Sequence, residues 1–116
     1  MSTRQQGAAG ETLAAEFLEY KGYEIIERNF FSRYGEIDII AREGGEVVFV
    51  EVKMRKNAEH GTAAEAVTPA KQRKLQKTAL MWLASHGEQP ARFDVVEIYA
   101  CTGEKPQIHL IRNAIY

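Results

Sequence analysis

The sequence predicts an α/β fold with the element order αβββαββ, and three observations support this prediction. The N-terminal segment has apolar residues at helical spacing. A glycine pair, Gly44-Gly45, separates two apolar segments in the manner of a hairpin turn. The dipeptide Thr68-Pro69 opens a second helical segment, with strand-like segments before and after it. Because 116 residues are the length of one ordinary domain, we expect residues 1–116 to form a single domain.

Two helices are predicted from apolar spacing and from their end signals. The first spans Thr3–Lys21, and Gly22 ends it. Its inward stripe follows i, i+3, i+4 spacing and consists of Gly10, Leu13, Ala14, Phe17 and Leu18. The second begins with Thr68 as N-cap and Pro69 at the first helical position, and Gly87 ends it.

Five strands are predicted from the remaining apolar segments. They are Tyr23–Asn29, Glu36–Arg42, Val47–Arg55, Arg92–Cys101 and Gln107–Arg112. The tight-turn signal at Gly44-Gly45 makes a hairpin of the second and third strands. The segment Lys56–Val67 is rich in small and polar residues and is expected to be a loop.

The composition is that of a globular protein and excludes several classes. Apolar residues make up 45% and charged residues 27%. The 15 basic and 16 acidic residues exclude a uniformly basic nucleic-acid-binding coat. No apolar run approaches the roughly 18–20 residues of a membrane span, so we expect no membrane partner. Without a signal-peptide pattern, and with Cys101 as the single cysteine, we expect a cytoplasmic protein.

The charges are distributed unevenly along the chain. Seven basic residues lie between Lys53 and Lys77, namely Lys53, Arg55, Lys56, Lys71, Arg73, Lys74 and Lys77. Only Glu59 and Glu65 are acidic in that stretch. The pattern indicates either a polyanionic partner or a solvated loop and helix face.

The predicted hairpin brings two carboxylates together. With Gly44-Gly45 as a two-residue turn, Asp38 faces Glu51 and Glu36 faces Lys53. Directly opposed side chains have Cβ atoms about 4.5–5.5 Å apart, a distance at which two ionised acids repel unless a cation lies between them. Mg²⁺ prefers such carboxylate oxygens. An odd-length turn breaks this pairing, and the alternative is a pair of exposed acids neutralised by neighbouring cations.

Strand alternation assigns these residues to faces. It places Asp38 on the same face as Glu36 and Ile40, with Ile37 and Ile39 together on the opposite face. Both faces of the hairpin are then partly apolar, which is typical of a sheet with helices on its two sides.

Polar residues beside the inward stripes of the helices are further candidates. Glu11 lies at the edge of the first stripe, beside Gly7 and Leu18 on the helical wheel. At the nearby glycines, Gly7 and Gly10, a close backbone approach or ordinary helix–sheet packing is expected. Lys71 and Gln72 lie near the inward stripe of the second helix, and they either reach an anion or extend along apolar surface.

Five segments of the sequence resemble a known family. An acid on one strand, Asp38, followed by Glu51-Val52-Lys53 on the next, resembles the PD-(D/E)XK nuclease superfamily, and Glu11 adds similarity to its Holliday-junction-resolvase branch. The chain is most similar to the YraN-like family of small bacterial proteins. The matching segments are Gly7-X-X-Gly10-Glu11, Tyr34–Ala41, Val48–Lys53, Val67–Gln72 and Arg92–Val96. Ile37 stands where the superfamily has its proline.

The resemblance implies a restriction-endonuclease-like core with a mixed central sheet flanked by helices. It implies that Asp38 and Glu51, with the Val52 carbonyl and Glu11, bind Mg²⁺ or Mn²⁺, and that Lys53 acts on the attacking water or the phosphate. Basic residues around this site would contact the nucleic acid, namely Lys71, Gln72, Arg55, Lys56 and Lys74.

The implied function is that of a metal-dependent endonuclease acting on DNA, including branched or structured DNA, and a homodimer fits a symmetric branched substrate. The alternative is a non-catalytic module on a nuclease-like fold that binds nucleic acid or protein.

Overall fold

The order of elements agrees with the sequence prediction. This computed structural model describes residues 3–55, 68–99 and 105–115. Its elements are α1 (Thr3–Tyr20), β1 (Glu24–Ser32), β2 (Gly35–Glu43), β3 (Glu46–Arg55), α2 (Pro69–His86), β4 (Ala91–Tyr99) and β5 (Gln107–Ile115). The predicted α/β class and the order αβββαββ are therefore confirmed. The predicted Lys56–Val67 loop and Cys101 lie outside the described residues.

The strands form one mixed sheet in the order β1-β2-β3-β4-β5. The β3–β4 pair is parallel, and the other three neighbouring pairs are antiparallel. Parallel neighbours need a long crossover connection, and α2 lies in that connection. In the described part of the chain, neither helix is long and apolar enough to cross a membrane.

The predicted ends of α2 are confirmed by their capping contacts. The Thr68 hydroxyl accepts a hydrogen bond from the Lys71 main-chain N–H at 3.2 Å. At the other end, Gly87 has a φ of 97° and donates its N–H to the Leu83 carbonyl at 2.7 Å.

Two strands continue three residues beyond their predicted C-terminal ends, and each contains an asparagine with positive φ. β1 continues beyond Asn29 to Ser32, and β5 continues beyond Arg112 to Ile115. Asn29 and Asn113 have φ values of 56° and 54°. Asparagine tolerates this conformation better than most residues, so a strand can pass through such a site and resume.

The core has two layers, one on each face of the sheet. The layer under α2 contains Ile37, Ile40, Val47, Phe49, Leu75, Ala79, Trp82 and Val95. The layer under α1 contains Ala14, Ala15, Leu18, Tyr23, Ile39, Ala41, Val48, Val50, Val96 and Ile98. Helices on both faces explain why alternate residues of β3 are apolar on each side.

Gly10 is the position where α1 comes close to the sheet. A Cβ atom at this residue would lie 2.4 Å from Sδ and 3.0 Å from Cγ of Met54 on β3. The predicted close approach is confirmed here, while the contacts of Gly7 lie outside the described residues.

The hairpin register is confirmed, but the pairing ends just before the two acids. The pairs run from Glu43↔Glu46 to Ile39↔Val50, as a two-residue turn requires. Beyond Ile39, the Oδ2 atom of Asp38 accepts the Val52 N–H at 2.8 Å. A side-chain acceptor here takes the position of a main-chain acceptor, so the β2–β3 ladder stops before Asp38 and Glu51 become a regular pair.

The predicted alternation of β2 is wrong at this point. Ile37 packs in the layer under α2 together with Ile40, whereas Ile39 packs under α1. The β1–β2 pairing passes from Arg28↔Ile39 to Phe30↔Ile37, across the positive-φ residue Asn29. The register is the same in both pairs, and the register shift of these strands lies between Ile25 and Glu27. Ile37 and Ile39 nevertheless lie in different layers, and Asp38 between them lies beside Glu11 of α1.

Candidate active site

Three carboxylates from α1 and β2 converge at the end of the β2–β3 ladder. Oxygen atoms of Glu11, Glu36 and Asp38 all lie within 4.8 Å of one another, and the three side chains are half-buried. Glu36 and Asp38 are two residues apart on β2, and Glu11 approaches from α1. Hard divalent cations are bound by oxygen ligands of this kind, so the group is a candidate metal centre.

The titration of this acidic cluster reflects its crowding. Burial, followed by the charge of Glu51, raises the pKa of Asp38 to about 7, although the Val52 N–H opposes the shift. Burial and the charge of Glu36 raise the pKa of Glu11. Burial and the charge of Glu51 raise the pKa of Glu36. A nearby cation favours the ionised form and would reverse these shifts.

One carboxylate oxygen of the cluster has no hydrogen-bond partner among the described residues. Oε1 of Glu11 is buried and accepts no hydrogen bond from the described residues. An Arg28 nitrogen lies 3.9 Å from it, which is an ion-pair distance rather than a hydrogen bond. A buried carboxylate oxygen is costly without a partner. This oxygen and the two neighbouring acids therefore fit a divalent cation.

Glu51 lies next to the acidic cluster but is held by two lysines. Its Oε1 atom is 2.6 Å from the Lys71 ammonium and 3.5 Å from that of Lys53. Burial and the adjacent Lys71 charge lower the pKa of Lys53. Burial also disfavours the Lys71 ammonium, but its hydrogen bond to Glu51 outweighs this and raises the pKa of Lys71. The site thus contains one acid, Glu51, that is paired with two lysines, beside three acids whose ionised forms are disfavoured.

The arrangement differs in detail from the predicted ligand set of Asp38, Glu51, Glu11 and Val52. Glu11 and Asp38 do come together, but Glu51 makes its close contacts with lysines, and Val52 enters through its N–H to Asp38. Glu36 was missed as a ligand candidate. Its spacing of two residues from Asp38 on the same strand is the signal that identifies it.

The residues predicted to contact nucleic acid do not lie together on one surface. Lys71 is bound to Glu51, and the Gln72 N–H donates to the Thr68 carbonyl at 2.9 Å in the first turn of α2. Arg55 is half-buried at the end of β3, and Lys74 is exposed on α2. Lys56 lies outside the described residues. The structure therefore brings Lys71 into the acidic site and leaves Lys74 on the surface.

The fold and the site define a class of protein. It is an α/β protein with a mixed sheet, and its carboxylates and lysines cluster where the pairing of β2 with β3 ends. Residues 10–98 match the model of a family described as "Uncharacterised protein family UPF0102", and the chain belongs to this family. The predicted membership of the YraN-like family is thereby confirmed.

Curated relatives match over most of their length. A UPF0102 protein of Symbiobacterium thermophilum is 50% identical over 116 residues, covering 98% of each chain. One of Rhodococcus opacus is 52% identical over 110 residues, covering 93% of each. One of Geobacter sulfurreducens is 50% identical over 110 residues, covering 93% of this chain and 86% of the relative.

Proposed function

We propose that the protein is a Mg²⁺- or Mn²⁺-dependent endonuclease that hydrolyses phosphodiester bonds in DNA. The observation that supports this proposal most directly is the convergence of Glu11, Glu36 and Asp38 within 4.8 Å beside Glu51 and Lys53. A purely structural role gives no reason to concentrate half-buried acids whose pKa values are raised by burial and by one another's charges.

Glu11, Glu36 and Asp38 would hold the metal. A bound divalent cation lowers the pKa of its water and polarises a phosphate oxygen. The Val52 N–H fixes the Asp38 carboxylate at 2.8 Å, which orients its second oxygen. Because two lysines neutralise Glu51, this acid holds the lysine ammonium groups in place next to the metal ligands.

Lys53 is the residue best suited to act on the reacting groups. Its ammonium is half-buried, and its pKa is lowered by burial and by Lys71. It donates a hydrogen bond to the attacking water or to a phosphate oxygen, where its charge stabilises the negative charge of the transition state. Lys71 keeps Glu51 in position at 2.6 Å and thereby keeps Lys53 directed at the site.

A cleavage assay tests the proposal. Labelled junction, flap, single-stranded and duplex DNAs and an RNA are incubated with Mg²⁺ or Mn²⁺ at low salt. We expect metal-dependent cutting by the natural protein and its loss in Asp38→Asn and Glu11→Gln. The matched control is Glu19→Gln, which removes an exposed acid from the other end of α1 and retains activity.

Metal binding measured by calorimetry separates the two functional classes. Binding that is lost in Asp38→Asn, together with cleavage lost in the same variant, supports the nuclease. Equal heats for the natural protein and Asp38→Asn, with no cleavage of any substrate, would contradict it. That result would favour the non-catalytic binding module.

A further inference from the structure

A second charged feature lies outside the acidic site, between the β1–β2 turn and the N-terminal half of α2. It is a cleft of about 410 Å³ lined by Arg33, Tyr34, Ala70, Arg73, Lys74 and Lys77. Four of these six residues are cations, and no acid lines the cleft in the part of the chain that the structure describes. Such a concentration of one sign of charge attracts anions.

Tyr34 holds two of the cations in place. The Arg33 guanidinium lies 4.9 Å from the centroid of the Tyr34 ring and donates a hydrogen bond to its hydroxyl at 2.9 Å. The Lys77 ammonium lies 5.3 Å from the same centroid. Cation–π contacts reduce the freedom of both long side chains without neutralising their charge. Tyr34 therefore serves as a support for cations rather than as a free stacking surface.

Polar contacts join the turn to the helix and fix the shape of the cleft. The hydroxyls of Ser32 and Thr78 are 2.9 Å apart, and Thr78 is fully buried. Ser32 also accepts the Tyr34 main-chain N–H at 3.0 Å. At Gly35, a Cβ atom would lie 3.9 Å from Cβ of Lys74, so the strand passes directly against α2. The two walls of the cleft are thus held together by the fold.

We infer that this cleft binds the phosphate backbone of a nucleic-acid strand. The inference rests on the proposed function, because that strand is taken to be the substrate of the nuclease. The four cations of the cleft line both walls, two of them are held by Tyr34, and none of the four forms an ion pair with an acid of the described residues, an arrangement that favours contacts with backbone phosphates. Helices rise about 1.5 Å per residue, so Lys77, at the far end of the cleft, lies about 9 Å along α2 from Lys71 of the acidic site. At about 3.4 Å of axis per phosphate of one strand, this distance corresponds to two to three nucleotides.

Fluorescence anisotropy in EDTA tests the inference without any metal or cleavage. The probes are a labelled single-stranded oligonucleotide and the corresponding duplex. The variant Arg73→Gln/Lys77→Gln removes two exposed cations of the cleft. Its matched control, Lys21→Gln/Lys105→Gln, removes two exposed cations that lie just after α1 and just before β5. Both double variants have the same net charge.

We expect the cleft variant to bind about tenfold more weakly than the natural protein, and the control to bind as the natural protein does. The slope of log K against log salt should fall by about 1.4 for the single strand, since each lost phosphate contact contributes about 0.7. A third variant, Tyr34→Leu, keeps all four cations. It should weaken binding but leave the slope unchanged.

The inference is overturned if the cleft variant keeps the natural affinity and slope, or if the control weakens equally. Thermal unfolding of each variant checks that the fold is intact. A different set of results is expected if the cleft binds nucleic acid but the protein is not a nuclease. In that case oligonucleotide binding in EDTA still depends on Arg73 and Lys77, whereas no substrate is cut when metal is added. If the cleft variant cuts DNA as well as the natural protein does, the proposed nuclease activity stands and the proposed role of the cleft is wrong.

Discussion

The Lys71 ammonium lies 2.6 Å from Oε1 of Glu51, and this ion pair connects the first turn of α2 to β3. The Glu51 side chain is only 8% exposed, and Lys53 lies 3.5 Å from the same oxygen. Glu51 is consequently well neutralised. Glu11, Glu36 and Asp38 lie next to it and make no such contact with lysines of the described residues. Burial, together with the charges of neighbouring carboxylates, raises the pKa values of these three acids.

Replacement of Lys71 by methionine should destabilise the protein. The substitution keeps most of the aliphatic chain but removes the closest cation of a buried carboxylate, and an unpaired buried charge is costly. Because Lys71 is 34% exposed and Lys53 remains, we expect a loss of about 1–2 kcal/mol in the free energy of unfolding. Urea denaturation measures it. Lys74→Met, on the exposed side of the same helix, should change stability by less than about 0.5 kcal/mol; equal losses in the two variants would disprove the role of the ion pair.

The stability of the metal-free protein should fall as the pH rises through the titration of Asp38. The pKa of this group is about 7 in the folded protein against an ordinary 3.8, so the folded state holds its proton more tightly than the unfolded state. Proton binding by Asp38 contributes up to about 4 kcal/mol to the free energy of unfolding. This stabilisation is fully present below about pH 4 and is lost as the pH rises to about 7. In EDTA, the stability advantage of Asp38→Asn over the natural protein should therefore grow across this range. A difference between Asp38→Asn and the natural protein that does not change with pH would refute the prediction.

Added Mg²⁺ should stabilise the protein through the same cluster. A ligand that binds only the folded state at ten times its Kd contributes about 1.4 kcal/mol. At about pH 8, where Asp38 is mostly ionised, Mg²⁺ should raise the Tm of the natural protein and of Glu19→Gln. It should leave the Tm of Asp38→Asn unchanged. Equal Tm shifts in all three proteins would point to a cation site elsewhere.

The parts of the fold that were predictable from sequence depend on local signals. The pair Gly44-Gly45 determines the turn and with it the register of the hairpin, and Thr68 and Gly87 determine the ends of α2. Asp38 was a candidate because the hairpin register sets it opposite Glu51, and Glu11 was a candidate because it lies at the edge of the apolar stripe of α1. The two helices on opposite faces follow from the apolar residues on both sides of β3.

The parts that were not predictable depend on contacts between distant segments. The change of face between Ile37 and Ile39 occurs where the Val52 N–H binds Asp38 and Asn29 has a positive φ, and neither feature is visible in strand periodicity. The partner of Glu51 was missed for a similar reason. Lys71 is twenty residues away along the chain, and only the packing of α2 on the sheet brings the two groups together.

The contact between Gly10 and Met54 should limit substitution of the glycine. Alanine is favoured over glycine inside a helix by about 0.5–1 kcal/mol, but its Cβ would lie 2.4 Å from the Met54 sulfur. Met54 is flexible and 46% exposed, so its side chain can move aside, and Gly10→Ala alone should gain less than this amount. In a Met54→Ala background the same change should stabilise the protein by the full value of about 0.5–1 kcal/mol that is expected at an unhindered helix position. A double-mutant cycle in urea measures the difference, and equal gains in both backgrounds would exclude steric contact as its cause.

Arg92 should be among the most sensitive positions for stability. Its side chain is 8% exposed and lies within 3.1 Å of carboxylate oxygens of Glu43, Glu46 and Asp94, so it joins the hairpin turn to β4. Asp94 is fully buried and, without Arg92, would keep its hydrogen bond from Tyr23 but lose its counter-ion. We expect Arg92→Met to lose about 3–5 kcal/mol, measured by urea denaturation.

The pH dependence of this loss provides its control. The hydrogen bond from Arg92 lowers the pKa of Glu43, so this pair stabilises the protein above the ordinary pKa of 4.5 and the stabilisation disappears as the pH falls through the lowered value. The difference between the natural protein and Arg92→Met should therefore shrink in acid. Arg73→Met, at an exposed site on α2, should show a small difference that does not depend on pH. A loss below about 1 kcal/mol for Arg92→Met, or one that grows in acid, would show that the Arg92 contacts do not stabilise the fold.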